Sequence, residues 1–319
     1  MSDPLFHIDV MLTESAISER FIAALRARFL PEPFFYWSPL SVRAWLALCR
    51  EGPYRNYIRS ETLVRTHADT IAAALPAGPI EVISLGAGQG TKDRHVLENL
   101  ARDGREMTYV PVDSGQVLLE SACAQAHACG VPHRGVKADI TDPTHLAIVL
   151  SRSHGRRRVV MILGNTLGAF DPPAMLRAVH SHLGEGDLLV VDGELGHDGD
   201  TKAGYENPDN RSFALAPLRS IGIKDEDGKL IFEFHRGNSP GLYRLEKCFR
   251  TEVDLALQVG GAEINIRAGE SIRMNHSGKY TQEAFRRTIV DGGFEQTADF
   301  YSEDSRFVMV IARPRPQGR

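Results

Sequence analysis

The chain has no apolar stretch long enough to cross a membrane. Its longest runs, such as Val159 to Leu163 and Leu188 to Val191, fall far short of the roughly 20 residues that a spanning helix needs. It has no excess of positive charge. With 37 Lys and Arg against 41 Asp and Glu, the net charge is −4, which gives no electrostatic basis for a nucleic-acid or anionic-membrane partner. The local basic run from Arg152 to Arg158 reads as a solvated loop. Cysteine is scarce: Cys49, Cys123, Cys129 and Cys248 show no C-x-x-C spacing and no clustered histidines, so neither a zinc site nor a disulfide framework is expected. Met1-Ser2-Asp3-Pro4 lacks the basic and then apolar run of a signal peptide. Internal repeats and low-complexity tracts are missing too. These absences lead to the expectation of a cytoplasmic protein with a small-molecule partner and no metal; they leave its oligomeric state open.

What is present is an ordinary globular composition, 42% hydrophobic and 24% charged over 319 residues, enough for one large domain or two modest ones. Residues 1–60 carry aromatic-rich helical segments, Ser15 to Phe29 and Ser41 to Cys49, separated by Pro31 and Pro33. A further helix is expected over Glu61 to Leu75. Short apolar runs then alternate with helical patterns. Strands are expected at Ile80 to Leu85, Met107 to Val112, Val131 to Lys137, Val159 to Leu163 and Asp187 to Asp192, and helices at Lys92 to Ala101, Gln116 to Cys129 and Pro173 to His182. Such alternation indicates βαβ units in a parallel sheet with helices on both faces. Between about 198 and 280 the sequence becomes polar and turn-rich, with antiparallel strands at Leu242 to Leu257 and Ala262 to Asn265. A helix from Thr281 to Asp291 and two strands, Phe294 to Tyr301 and Phe307 to Ala312, close the chain.

Three features mark a ligand site. Gly86-Ala87-Gly88-Gln89-Gly90 follows the first strand of the alternating region, where glycine permits positive φ and a close approach to the backbone. A tight turn without a ligand would look the same. The dinucleotide fingerprint G-x-G-x-x-G fails, because Thr91 stands where its third glycine belongs. Asp113 ends the second strand, placed to accept from both hydroxyls of a ribose or to cap the next helix. Asp139 follows the third, where a carboxylate can accept from an adenine amino group or stabilise a loop. At successive strand ends, the three together describe a nucleoside pocket along the carboxyl edge of a parallel sheet.

These residues resemble the histidine-specific, S-adenosylmethionine (SAM) dependent methyltransferases, a family that includes the ergothioneine-pathway histidine Nα-methyltransferase and fungal amino-acid N-methyltransferases. The resemblance runs over nearly the whole chain, through Gly86 to Lys92, Tyr109 to Asp113, Leu163-Gly164-Asn165-Thr166-Leu167-Gly168, Gly186 to Leu189, Tyr205 to Phe213, Gly269 to Ile272 and Ser277 to Tyr280. It implies an α/β fold with a class I Rossmann-like methyltransferase sheet, formed by residues 61–197 and 281–319, and a second α+β substrate-binding domain formed by residues 1–60 and 198–280. It further implies that Gly86, Ala87, Gly88, Lys92, Asp113, Asp139, Ile140 and Asn165 hold SAM.

Tyr205, Asn275, Ser277 and Ala169 fall at the family's substrate positions, and His276 is the candidate proton acceptor. Four positions depart from the family pattern. Ser84 replaces an acidic residue, Ala169 replaces a substrate-binding asparagine, and Asn275 replaces a glutamate that grips an imidazole. The family's N-terminal pocket tyrosine has no clean counterpart around Tyr54 to Tyr57. An Asn amide lacks the charge and acceptor strength of a carboxylate, so the acceptor is expected to be a small amino-acid-like compound or amine other than histidine, methylated on nitrogen by SN2 displacement. The competing readings are a non-catalytic SAM-binding protein and a nicotinamide oxidoreductase, the latter weakened by the missing glycine.

Overall fold

A computed structural model describes residues 7–50, 54–151, 156–196 and 199–316. The N-terminal tetrapeptide and residues 152–155 of the basic run lie outside them. The alternating region folds as the periodicity predicts. Strands β3 (Ile80–Leu85), β4 (Met107–Asp113), β5 (Gly135–Lys137), β6 (Arg157–Ile162) and β7 (Leu188–Glu194) are all parallel. The closing pair β13 (Phe294–Tyr301) and β14 (Phe307–Pro314) adds antiparallel to β7, in the order β5-β4-β3-β6-β7-β14-β13. Every residue of β3 and of β7 is buried, as both faces of a parallel sheet require. Helices α5 (Thr91–Arg102), α6 (Gln116–Ala128), α7 (Pro143–Ser151), α8 (Pro172–His180) and α11 (Gln282–Asp291) cover those faces. The strand order reverses between β3 and β6, which opens a crevice at their carboxyl ends.

The N-terminal segment is divided between two structures. β1 (Ile8–Val10) pairs in parallel with β5 and becomes the edge strand of the large sheet. α1 (Glu14–Arg26), capped by Thr13, and α2 (Pro39–Leu48), capped by Ser38, pack instead into a second hydrophobic core. Between them, β2 (Phe29–Leu30) and a 3₁₀ turn (Glu32–Phe35) fall where the prolines interrupt the helical pattern. The helix expected over Glu61 to Leu75 is two, α3 (Asn56–Thr66) and α4 (Ala68–Ala73), separated at His67.

The second core is closed by α10 (Pro208–Arg219) and by β8 (Gly228–Arg236), β9 (Leu242–Thr251) and β12 (Ser271–Tyr280), which with β2 form a sheet ordered β2-β12-β9-β8. Leu242 to Leu257, expected as one strand, breaks after Thr251. The separate hairpin of β10 (Leu255–Val259) and β11 (Ala262–Ile266) follows. A short helix α9 (Gly199–Ala203) leads into α10, whose Asn207 cap and Pro208 at its first position are start signals within sequence that otherwise reads as turns.

Of the basic run, Arg158 is not solvated: its Nε and Nη2 both donate to Asp187 Oδ2, at 3.0 and 2.6 Å, at the head of β7. Gly193, inside β7, lies against the core; a Cβ there would come within 2.4 Å of the Phe285 ring of α11. Gly193→Ala should therefore destabilise the fold by about 1–3 kcal/mol through overpacking, read as a lower denaturation midpoint.

Candidate active site

The carboxyl ends of four adjacent strands converge on one open cleft of about 1160 Å³, its solvent mouth included. Beyond β3, the glycine turn runs at positive φ at Gly86, Gly88 and Gly90 (+75°, +57° and +74°). Two of these glycines serve different needs. A Cβ on Gly90 would lie 2.8 Å from the Cα of Ala122 in α6, so that glycine lets the helix pack. A Cβ on Gly88 would meet no atom within 4 Å, so that glycine leaves the cleft wall bare. Asp113, at the end of β4, accepts from Gly88 N–H through Oδ2 and from Gly115 N–H through Oδ1, both at 2.8 Å. Asp113 thus braces the turn and the entry to α6 while lining the cleft. Burial pushes its carboxyl up, and the two backbone donors oppose that shift.

Asp139, after β5, also lines the cleft, beside Ile140. Its Oδ1 accepts from Thr141 N–H and O–H (2.9 and 2.6 Å), and its Oδ2 accepts from Arg20 of α1 (3.1 Å). Lys92, from the first turn of α5, is buried with its ammonium over the Tyr57 ring at 4.5 Å. Where Ser84 replaces an acidic residue, a carboxylate still lies nearby. Buried Asp93 accepts from Tyr109 O–H at 2.5 Å and is hydrogen-bonded to Ser84.

Asn165, beyond β6, stands at φ +61°. Its backbone N–H donates to Asp192 (2.7 Å), its Oδ1 accepts from Glu194 N–H (3.0 Å), and its Nδ2 donates to Ser277 Oγ (3.1 Å) and the Gly278 carbonyl (3.3 Å). The side chain is thus fully occupied in tying β6 and β7 to β12.

The opposite wall comes from the second core. Tyr205 is buried, and its hydroxyl donates to Glu194 Oε2 (2.8 Å) while accepting from Lys279 Nζ (2.8 Å) and Asn56 Nδ2 (3.1 Å). Lys279 also donates to Ser277 Oγ (2.5 Å) and pairs with Glu194 at 2.7 Å; Asn56 donates to Glu194 as well. Burial pushes the Tyr205 hydroxyl well up and the Lys279 ammonium down. Ser277 accepts from Lys279 and Asn165, and its own proton has the Tyr205 hydroxyl as a long-range acceptor at 3.4 Å.

His276 and Ala169 line the cleft at its boundary with a second cavity of about 790 Å³, its solvent mouth likewise included. Burial and then the neighbouring Arg244 hold the His276 imidazole below its ordinary pKa, against a hydrogen bond to the Phe170 backbone that acts in the opposite direction. Asn275 donates to Glu32 of the 3₁₀ turn.

Every site residue expected from the sequence therefore lines this cleft. The structure adds others. Glu194, Lys279 and Asn56 lie buried behind its wall, bonded to Tyr205 and Ser277, while Tyr54 and Tyr57 both reach the cleft, Tyr54 with its ring 5.4 Å from that of Tyr205. Glu32, Tyr36, Trp45, Phe213 and Lys247 complete the far wall. Of these, only Lys247 had a legible signal, since it alternates with the inward residues Leu245 and Phe249. Burial pushes its ammonium down to about 8. Among the described residues no cluster of His, Cys, Asp or Glu is arranged to hold a metal, and no helix is long and apolar enough to cross a membrane.

Comparison with known proteins gives this geometry a context. The family model described as histidine-specific methyltransferase, SAM-dependent, matches residues 17–314. The N-methyltransferase fsqC of Aspergillus fumigatus is 27% identical over 284 residues, 84% of this chain and 75% of its own. The histidine N-alpha-methyltransferases of Mycolicibacterium smegmatis and Mycobacterium tuberculosis are 26% and 25% identical, covering 74% and 89% of this chain and 75% and 89% of theirs.

The residues present fit SAM: a bare glycine turn, two carboxylates with free lone pairs and an open cleft meet at one place. Asp113→Asn would set an amide NH₂ against one of two backbone donors. It should lower SAM affinity about tenfold or more by calorimetric titration, the scale expected for losing a charged hydrogen bond.

Proposed function

Because the chain belongs to the histidine-specific, SAM-dependent methyltransferase family, we propose that it methylates the amino nitrogen of a small amino-acid-like acceptor other than histidine. The observation that carries this reading is that the donor wall, from Gly86 to Lys92 with Asp113 and Asp139, faces a buried polar wall of Tyr205, Ser277 and Asn275 across one cleft. Bound SAM supplies a methyl group activated by its sulfonium. Gly86, Ala87, Gly88 and Lys92 would hold its amino-acid portion, and Asp113, Asp139 and Ile140 its nucleoside. Asn165 contributes through its backbone and keeps the donor and acceptor walls in register.

The chain's remaining task is to place a nitrogen lone pair in line and to keep water out, which is where proximity gives most of its acceleration. Tyr205 acts as a rigid strut, because all three hydrogen-bonding positions of its hydroxyl are occupied within the chain. Ser277, whose hydroxyl is held only by a long 3.4 Å contact to Tyr205, is the group that can turn to donate to a carboxylate or similar acceptor on the substrate. Asn275, an amide where relatives that bind imidazole carry a carboxylate, is what sets histidine aside.

The acceptor nitrogen must lose its proton before it can attack. His276 is an imidazole that lines the cleft, and its depressed pKa favours the unprotonated base at neutral pH. His276→Gln should lower kcat by about 10²-fold, the low end for a positioned acid–base group, with SAM affinity unchanged. In the parent enzyme, kcat should fall as pH drops below the usual histidine range, where the imidazole takes up a proton; in the variant that acid limb should vanish. The overall reading is tested by incubating the chain with SAM and a panel of amino acids and amines, then searching by mass spectrometry for products heavier by whole methyl increments. A panel without such a product, or one in which histidine is the preferred acceptor, overturns it.

A further inference from the structure

At the far end of the cleft two buried polar groups are left open by the rest of the chain. The ladder between β12 and β9 pairs Arg273 with Cys248 and then His276 with Glu246, so Met274 and Asn275 together oppose Lys247. This is a β-bulge, a device that re-aims side chains beside active sites. It brings the Asn275 amide next to Lys247 on the cleft side of the sheet. Both are more than nine-tenths buried. The Lys247 ammonium lies over the rings of Phe35 and Phe213, at 4.9 and 5.5 Å. No hydrogen bond from its ammonium, which faces the cleft, is found among the described residues, and the fully buried Asn275 carbonyl oxygen has no donor. Buried groups of this kind normally find partners. Here one wants an acceptor and the other a donor.

The charge balance narrows what can satisfy both. The Glu32 carboxylate receives the Asn275 amide and the Tyr36 hydroxyl, and it is the principal opposite charge acting on Lys247. An anionic ligand group would meet Glu32, whereas a neutral group that both accepts and donates meets no repulsion. The surroundings are aromatic. Tyr36, Trp45 and Phe213 lie within 5.3 to 5.6 Å of one another by ring centroid, and all three line the cleft. Offset and edge-on ring packing is the geometry that accepts a further ring.

We infer that Lys247 and Asn275 form a recognition pair for a phenolic hydroxyl, so that the acceptor is a hydroxylated aromatic amine or amino acid held by its ring against Tyr36, Trp45 and Phe213. Lys247 donates to the phenolic oxygen and the phenolic proton goes to Asn275 Oδ1. This rests on the amine-methylation reading for what happens at the other end of the molecule, and the test separates the two.

The whole chain, saturated with S-adenosylhomocysteine, is titrated calorimetrically with L-tyrosine, L-phenylalanine and L-histidine, and with tyramine and phenethylamine. In each pair the hydroxylated member should bind about tenfold tighter or more, since a site built to hydrogen-bond a hydroxyl rejects the analogue that lacks it. Lys247→Met and Asn275→Ala should each bring that ratio close to one, with S-adenosylhomocysteine affinity confirming that the variants are folded. Equal affinity within the pairs, no binding of the hydroxylated members, tighter binding of L-histidine, or a ratio unchanged in both variants overturns the inference. Methyl transfer is followed in the same samples. A hydroxyl preference without methylated product overturns the amine-methylation reading alone, and methylated amines without that preference overturn the recognition pair alone.

Discussion

At the junction of the two sheets lies a buried ion pair, Glu194 with Lys279, with almost no exposure on either side chain. Two charges taken so far from water are tolerable only when each is well solvated by the protein. Here Tyr205 and Asn56 donate to the carboxylate, and the ammonium reaches Tyr205 and Ser277. The five residues come from β7, β12, α3 and the segment before α10. The pair therefore fixes in one place the end of the central sheet, the strand that lines the acceptor side and the helix beneath both. Removing either partner would leave an uncompensated buried charge, so the geometry of the reaction chamber and the stability of the molecule depend on the same contact.

Around that contact the labour is divided by element. The large sheet offers backbone at its carboxyl edge, because strands that turn sharply into helices expose N–H groups and bare glycines where the strand order reverses. The second core offers side chains. Its aromatic helices and the inward face of β9 and β12 supply rings, an amide, an ammonium and a hydroxyl at the distance of a small molecule. One wall suits a ligand common to many reactions and the other a ligand peculiar to this one. Arg20 is the exception to this division: it belongs to α1 in the second core and reaches across to Asp139 on the donor side.

How much of this could be read from residues alone follows from the range of the forces involved. Strands β3, β4, β6 and β7 and their helices announce themselves through local periodicity. The glycine turn with Asp113 and Asp139 marks the donor side because each sits a fixed step from a strand end. The acceptor side was only partly legible. Asn275, Ser277 and Tyr205 were found through resemblance, whereas Glu32 and Tyr36 lie in the proline-interrupted stretch and Trp45 in ordinary-looking helical sequence, and they acquire meaning only when β2 pairs with β12 and brings the 3₁₀ turn over the cleft. Glu194 and Lys279 were invisible for the same reason, since neither shows its partner within its own segment. β1 is three residues long and joins a strand more than a hundred positions away, well beyond any local pattern.

The bulge in β12 has a consequence for how this chain can change over time. Side chains on a strand alternate between faces, so the one extra residue at 274–275 decides that Ser277 and Lys279 point toward the reaction chamber. Positions 247 and 275 can change residue while the facing of Ser277 and Lys279 stays the same. Losing a single residue at 274–275 would turn the rest of the strand over and withdraw Lys279 from Glu194. The length of this strand is thus held by the buried ion pair more tightly than the side chains at 247 and 275 are.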